Sequence, residues 1–268
     1  MGSRFPDSMV FQAIGPGPHL TAKQAMERSK DFLIGMEKIS PWSRPFDVSG
    51  TTAKHGNMPI AEDWSDFEDV VMTAFGDYDD VKYHNEGAPD NWRLTVDSRS
   101  PYGFRTTFSD FVQKRKNPET VGISIKTAGN PPRLDFSLVA VDVPSFQPAE
   151  RNGNWSKPET VHAIFNYLLD FCDPTFCVVY GSDQNLRNRV RVNGALVDGG
   201  RLGWLTYFKN PRLQMALSGD PRATEYRGGT LLTLGDNSVA ALTDSKVDEE
   251  ILEIRNKLRV AGVSDWTR

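Results

Sequence analysis

The chain has 268 residues, 38% of them hydrophobic and 25% charged, with a formal net charge of −4. Such a chain can bury a full core and need not be a disordered inhibitor. No apolar run approaches the roughly 18 residues of a membrane span and no basic region leads into an apolar core at the amino terminus, so a soluble, unexported, cytoplasmic protein is expected.

Residues 1–9, ending at a second methionine, Met9, read as a flexible leader, and residues 10–268 as one α+β domain. Val10 to Ile14 has strand character and is stopped by Gly15-Pro16-Gly17-Pro18. Thr21 with Gln24 forms a capping box, and Ala22, Ala25, Met26, Phe32, Leu33 and Met36 give an amphipathic helix to about Lys38. Pro41 to Pro59 is rich in turn residues and predicts an irregular loop. A second helix is predicted over 61–75, with Trp64, Phe67, Val71 and Phe75 on one stripe.

The opposite side of that helix, and the stretch after it, are acidic. Residues 61–90 hold ten acids against one lysine, Lys82, so they carry nine net negative charges while the rest of the chain sums to +5. Concentrated negative charge suits a surface that meets a basic partner, because it speeds encounter and fixes orientation. Glu62, Asp66, Asp69, Asp77, Tyr78, Asp79 and Asp80 are therefore the candidate binding residues. The ordinary alternative is a solvated helix face.

Alternating strands are predicted at Trp92–Asp97, Phe104–Phe108, Val121–Lys126 and Leu134–Val139, a pattern that antiparallel sheets with one wet face allow. Ser156 with Glu159 suggests another capping box, followed by a helix through Val161, Ile164, Phe165, Leu168 and Leu169. After Asp173-Pro174, the apolar run Phe176–Tyr180 predicts a central strand. Gly203-Trp204-Leu205-Thr206-Tyr207-Phe208 and Gly228-Gly229-Thr230-Leu231-Leu232-Thr233 predict two buried strands that pair or lie close. The turn residues between them favour a loop over a helix. Trp204 and Tyr207 lie three apart, so a regular strand sends them to opposite faces and only one need face the core. Asp244 or Ser245 caps a last helix, with Val247, Ile251, Ile254 and Leu258 inward and Gly262 at its end. The whole reads as an antiparallel or mixed sheet covered by amphipathic helices, and the recurring strand, helix, strands order allows two similar halves.

The order of the final elements resembles the bacterial immunity protein 52 family. The residues that carry the likeness are the Gly203 to Phe208 strand, the Gly228-Gly229-Thr230-Leu231-Leu232 strand, the terminal helix closing on Ala261-Gly262, and the Leu168 to Val179 passage through Asp173-Pro174. It extends from about Pro158 to Gly262. One departure is Cys172, where the family usually has an aromatic residue before the Asp-Pro. The resemblance implies an antitoxin that binds a cognate toxin of polymorphic or type VI secretion systems, commonly a restriction-endonuclease-like nuclease. Gly203, Trp204, Tyr207, Gly228 and Gly229 are then structural residues of the framework.

Catalytic motifs are not evident. His19, His55, His84 and His162 are scattered without metal-ligand spacing, Asp77 to Asp80 lacks the spacing of a calcium loop, and the glycines near 194–200 fit no phosphate-binding loop. Lys114-Arg115-Lys116 and Arg187, Arg189, Arg191 are cationic but lack interleaved aromatics, which argues against direct nucleic-acid binding. Cys172 and Cys177 read as free thiols, with a disulfide the alternative. No enzyme, metal or cofactor is therefore expected. The alternatives are a carboxylate-dependent hydrolase with a motif-free pocket and a homodimeric scaffold.

Overall fold

The computed structural model describes residues 8–39, 47–49, 56–77, 94–100, 103–109, 121–129, 136–144, 157–181, 190–192, 195–197, 201–236, 239–242 and 244–263. It is an α+β protein whose chain falls into two compact units, one running from Pro16 to Val141 and the other made of the residues up to Gly15 and from Asp142 onward.

The Pro16–Val141 unit begins with helix α1 (Ala22–Ile39), whose buried stripe includes Ala25, Met26, Phe32, Leu33 and Met36. Its capping box forms as expected: Gln24 N–H donates to Thr21 Oγ1 at 3.3 Å, and Thr21 N–H donates to Gln24 Oε1 at 3.0 Å. The backbone donors of Ala22 and Lys23 reach Ser98 O and Val96 O at 2.8 and 2.9 Å. This explains a correction. Of the strand predicted at Trp92–Asp97, residues 92–93 lie outside the described residues and 94–97 form a turn instead, held by Thr95 and Ser98, with the Val96 and Ser98 carbonyls serving the start of α1.

Two short strands, β2 (Asp47–Ser49) and β3 (Asn57–Pro59), lie in the region expected to be irregular. They pair with each other, and β2 pairs with β4 (Arg105–Ser109), which pairs with β5 (Gly122–Lys126). All of these pairings are antiparallel. Strands this short carry too little alternation to show in sequence. Helix α2 (Phe67–Asp77) starts six residues later than predicted. Trp64 adopts a left-handed backbone, φ 63°, and Asp66 turns back to accept a hydrogen bond from Ala61 N–H at 2.8 Å. Residues 61–66 are thus an entry turn. Phe67 stacks on Phe108, centroids 6.1 Å apart, and Phe75 lies 4.7 Å from Phe104, which seats α2 on β4.

Strand β6 (Phe136–Pro144) spans the division of the chain at Val141. In the second unit, β1 (Ser8–Pro16) covers the predicted Val10–Ile14 strand, runs past its expected stop at Gly15, and alternates buried and half-buried residues. Helix α3 (Pro158–Cys172) begins at Lys157 with Pro158 in its first turn and no side-chain cap. Ser156 of the predicted capping box lies outside the described residues. Asp173 ends α3 in the left-handed conformation, φ 44° and ψ 54°, with its N–H on Leu169 O.

Strand β7 (Phe176–Gly181) is buried at every position and lies between β1 and β10 (Leu205–Phe208), the central place predicted for it. β10 pairs in turn with β12 (Gly229–Thr233), and β12 with β11 (Ala223–Tyr226). Strands β8 (Val190–Val192) and β9 (Ala195–Val197) form a separate hairpin. The segment between β10 and β12 corrects the expectation of a plain loop. Asn210-Pro211 is the cap and first residue of a short helix, α4 (Pro211–Ala216), with Asn210 accepting from Arg212 N–H, and β11 follows. The last helix, α5 (Ser245–Val260), is capped by Asp244 and ends before Gly262 at φ 75°. Cys172 and Cys177 are buried and not joined by a disulfide, and burial holds the Cys177 thiol well above its ordinary value. Among the described residues no helix is long and apolar enough to cross a membrane.

One ion network ties the β11 hairpin to α5. Asp220, with a side chain only 2% exposed, receives Arg222 at 2.9 and 2.8 Å and Lys257 Nζ at 2.7 Å, while Arg222 also donates twice to Glu253 at 3.0 Å. The Arg222 guanidinium beside Asp220 holds its carboxyl far below the ordinary carboxylate range, against the opposing effect of burial. Because the folded value lies below the unfolded value of about 4, the network's contribution is whole above that pH and is lost as pH falls below it. Asp220→Asn should cost about 2–3 kcal/mol at neutral pH, discounted for the exposed side of the network, and should flatten the loss of stability below about pH 4. Urea unfolding across pH measures both.

Candidate functional site

The acidic candidates fall in the entry turn and first turns of α2. Glu62 and Asp69 are exposed, together with Asp63 and Glu68. Asp66 is half-buried and spends one oxygen on the Ala61 backbone, so it shapes the turn and is only in part available to a partner. Asp63 accepts from Ser65 N–H at 3.0 Å, and hydrogen bonding from the Ser65 side chain first, with that N–H second, holds its carboxyl below the usual range. Lys30, from α1, reaches Trp64 O at 3.4 Å and lies 5.7 Å from the Phe67 ring centre, bringing one cation to an otherwise acidic surface. Sequence separation hid that contribution. Asp77 closes α2, and Tyr78, Asp79 and Asp80 lie outside the described residues.

The other cluster singled out from sequence sits around β10. Trp204 and Tyr207 are both essentially unexposed, which corrects the expectation that one of them would suffice for the core. β10 is an inner strand with all four residues buried, so position relative to one face no longer decides exposure. Trp204 meets the α3 residue His162 edge-on, centroids 5.8 Å apart, which gives that histidine a packing contact. A side-chain carbon at Gly203 would overlap the Val179 carbonyl oxygen, so β10 can approach β7 only with glycine there.

Gly229 plays the matching part on the other side. A carbon built on it would lie 2.4 Å from the Phe208 carbonyl oxygen, 2.6 Å from Tyr207 Cε2 and 2.7 Å from Cζ. The missing side chain is the space the tyrosine ring fills, and the Tyr207 hydroxyl then donates to Arg227 O at 3.1 Å. Arg227 and Gly228 both have positive φ, 48° and 73°, as a two-residue hairpin turn of the primed type requires. Gly228 suits that turn, whereas Arg227 adopts the left-handed region at some cost. The hairpin is also fastened to α3 by Tyr226, whose hydroxyl donates to Asn166 Oδ1 at 2.7 Å.

These contacts bring three separate stretches to one cleft of about 370 Å3. It is lined by Leu169, Asp170, Asp173 and Pro174 at and just after the end of α3, Tyr207 from β10 with Lys209 just after it, and Arg227 from the hairpin turn. Arg227 pairs with Asp170 and Lys209 with Asp173. Burial raises the Tyr207 phenol above its ordinary value. Asp170, Asp173, Lys209 and Arg227 were missed from sequence because they are scattered charged residues until the sheet register unites them. Among the described residues no three His, Cys, Asp or Glu side chains come together in a way that could hold a metal ion.

Among solved structures, the chain is similar to the Pseudomonas aeruginosa T6SS protein PA0821, with a TM-score of 0.51 and 11% identity over 92% of this chain and 73% of that one. The likeness is one of fold. No protein-family model matches the chain, and no curated protein matches it.

Two neighbouring glycines should respond differently to the same change. Gly229→Ala is expected to displace Tyr207 and cost about 3 kcal/mol, whereas Gly228→Ala has no atom within 4 Å to meet and should cost about 1–2 kcal/mol for its positive φ alone. Urea unfolding of the two variants gives the difference.

Proposed function

We propose that this protein is an immunity protein that acts in the cytoplasm by binding and neutralising a cognate toxin of a type VI secretion system, a nuclease, without turnover of its own. The observation that carries this reading is the fold shared with a T6SS protein along 92% of the chain. The carboxyl-terminal order of elements, similar to the immunity protein 52 family, points the same way.

The surfaces fit such a role. A nuclease must present cations to phosphates, and the exposed carboxylates of Glu62, Asp63, Glu68 and Asp69 supply the complementary field. Binding tight enough to protect a cell also needs roughly 800 Å2 buried per partner and central anchor residues, so charge accounts for rate and orientation more than for affinity. Asp170 and Asp173 are exposed and each engaged by a cation, unlike the proton-holding carboxyl that hydrolysis requires, which favours a binder over the carboxylate-hydrolase reading.

The toxin domain encoded beside this gene should co-purify with the chain and lose its nuclease activity. Reversing Glu62 and Asp69 together to lysine should slow association about tenfold at low salt and reduce its salt dependence. Stopped-flow association measured across ionic strength checks this. Failure of the wild-type pair to associate at micromolar concentration overturns the proposal.

A further inference from the structure

Strand β11 is an outermost strand, paired with β12 on one side and with no strand on the other. In an antiparallel pair, residues that exchange hydrogen bonds with the partner alternate with residues whose N–H and C=O point away from it. Thr233 N–H donates to Arg222 O at 2.9 Å, and this sets the phase: Arg222, Thr224 and Tyr226 bond toward β12, while Ala223 and Glu225 point outward. The Ala223 N–H is taken up locally by Asp220 O at 3.0 Å. That leaves the Ala223 carbonyl and both backbone groups of the exposed Glu225 without a partner among the described residues.

Strand edges are commonly blunted by proline, by lysine or by a covering element. The outermost strand of the Pro16–Val141 unit, β3, carries Pro59, whereas β11 has neither proline nor lysine. Although only four residues long, β11 is held in place at both ends. Arg222 ties its start to Asp220 and Glu253, and Tyr226 ties its end to Asn166. A strand added to an edge already ordered in this way costs the chain little entropy.

The chemistry beside the edge narrows what can be added. A groove of about 420 Å3 runs between the hairpin and Gln214, Leu217 and Ser218. Glu225 and its register partner Thr230 both line it, so it lies on the face of the sheet to which the Glu225 side chain belongs. Among the described residues that line it, Glu225 alone is charged. A residue set opposite Glu225 on an added strand shares that face, where lysine or arginine would be attracted and a second glutamate repelled. A copy of this chain centred on Glu225 would set that residue against its own counterpart. A register shifted by one residue would call on the Ala223 N–H, which Asp220 already holds.

From this geometry we infer that the outer edge of β11 takes up one extended segment of the toxin as an additional strand, with a lysine or arginine opposite Glu225. Main-chain hydrogen bonding supplies the attachment and the facing side chain supplies the selection. The inference rests on the immunity reading and adds to it the place and mode of contact, carried by the carboxyl-terminal unit independently of the acidic turn of α2.

Two measurements on the full chain test it. In the first, amide exchange is followed in isotopically labelled protein with and without the neighbouring toxin domain. The Glu225 amide should exchange fast in the free chain and at least tenfold more slowly in the complex, whereas the Thr224 amide, bonded to β12, should be slow in both. Unchanged exchange at Glu225 in a complex that has formed overturns the docking edge and leaves the immunity reading standing. Slowing at Glu225 that grows with the concentration of the chain alone, with a doubled mass in solution, assigns the edge to a second copy and overturns the proposal.

In the second, binding of the toxin domain is compared between Glu225→Pro and Glu225→Gln. Proline at 225 removes an outward N–H and no bond to β12, a place where edge strands tolerate it, and a Thr224 amide that stays slow verifies that the variant folds. It should bind at least tenfold more weakly than the wild type, and Glu225→Gln, which keeps the N–H, about threefold. Wild-type binding by the proline variant, or an equal loss in both variants, overturns the docking edge. If the wild-type chain itself does not bind the toxin, the immunity reading falls and the proposed occupant falls with it.

Discussion

The Tyr207 ring lies against the backbone of Gly229, and much of the carboxyl-terminal unit depends on that contact. With no side chain at 229, the ring can enter the sheet, bury fully, and send its hydroxyl to the carbonyl of a residue in the hairpin turn. The same geometry at Gly203 lets β10 close on β7. Backbone that packs this tightly leaves few alternative arrangements, because protein interiors do not deform continuously. Three stretches far apart in sequence therefore meet in one cleft with little freedom.

The ion network at Asp220 complements this from the other end of the hairpin. A nearly unexposed carboxylate held by two cations is costly to bring out of water, and it repays that cost only while both partners are in place. Its effect is to register α5 against the hairpin rather than to add much net stability. Tyr226 and Asn166 do the same between the hairpin and α3. The β11–β12 hairpin is thus fastened to two helices.

Strong periodicity and local chemistry made much of this fold legible in sequence. The stripes of α1, α3 and α5, the capping box at Thr21, the Asp244 cap, Gly262 and the all-apolar run of β7 each stated their place. The misreadings share a cause. Residues 94–97 alternate like a strand but form a turn that gives the Val96 carbonyl to α1, residues 61–66 look helical but are turned by Asp66, and Asn210-Pro211 resembles a loop but starts a helix. In each case a specific hydrogen bond outweighed a pattern. The candidate site was half legible: Tyr207, Gly228 and Gly229 drew attention as framework, while Asp170, Asp173, Lys209 and Arg227 gained meaning only from sheet register. The acidic turn was legible as charge, but the approach of Lys30 was not.

Hydrogen exchange on the chain with and without its toxin tests the central claim, action by occupying another protein's surface, most directly. Toxin binding should slow exchange at the start of α2, while the amides of β7, already buried, stay unchanged. A pattern of exchange identical in the two samples, with the toxin still active, would contradict it.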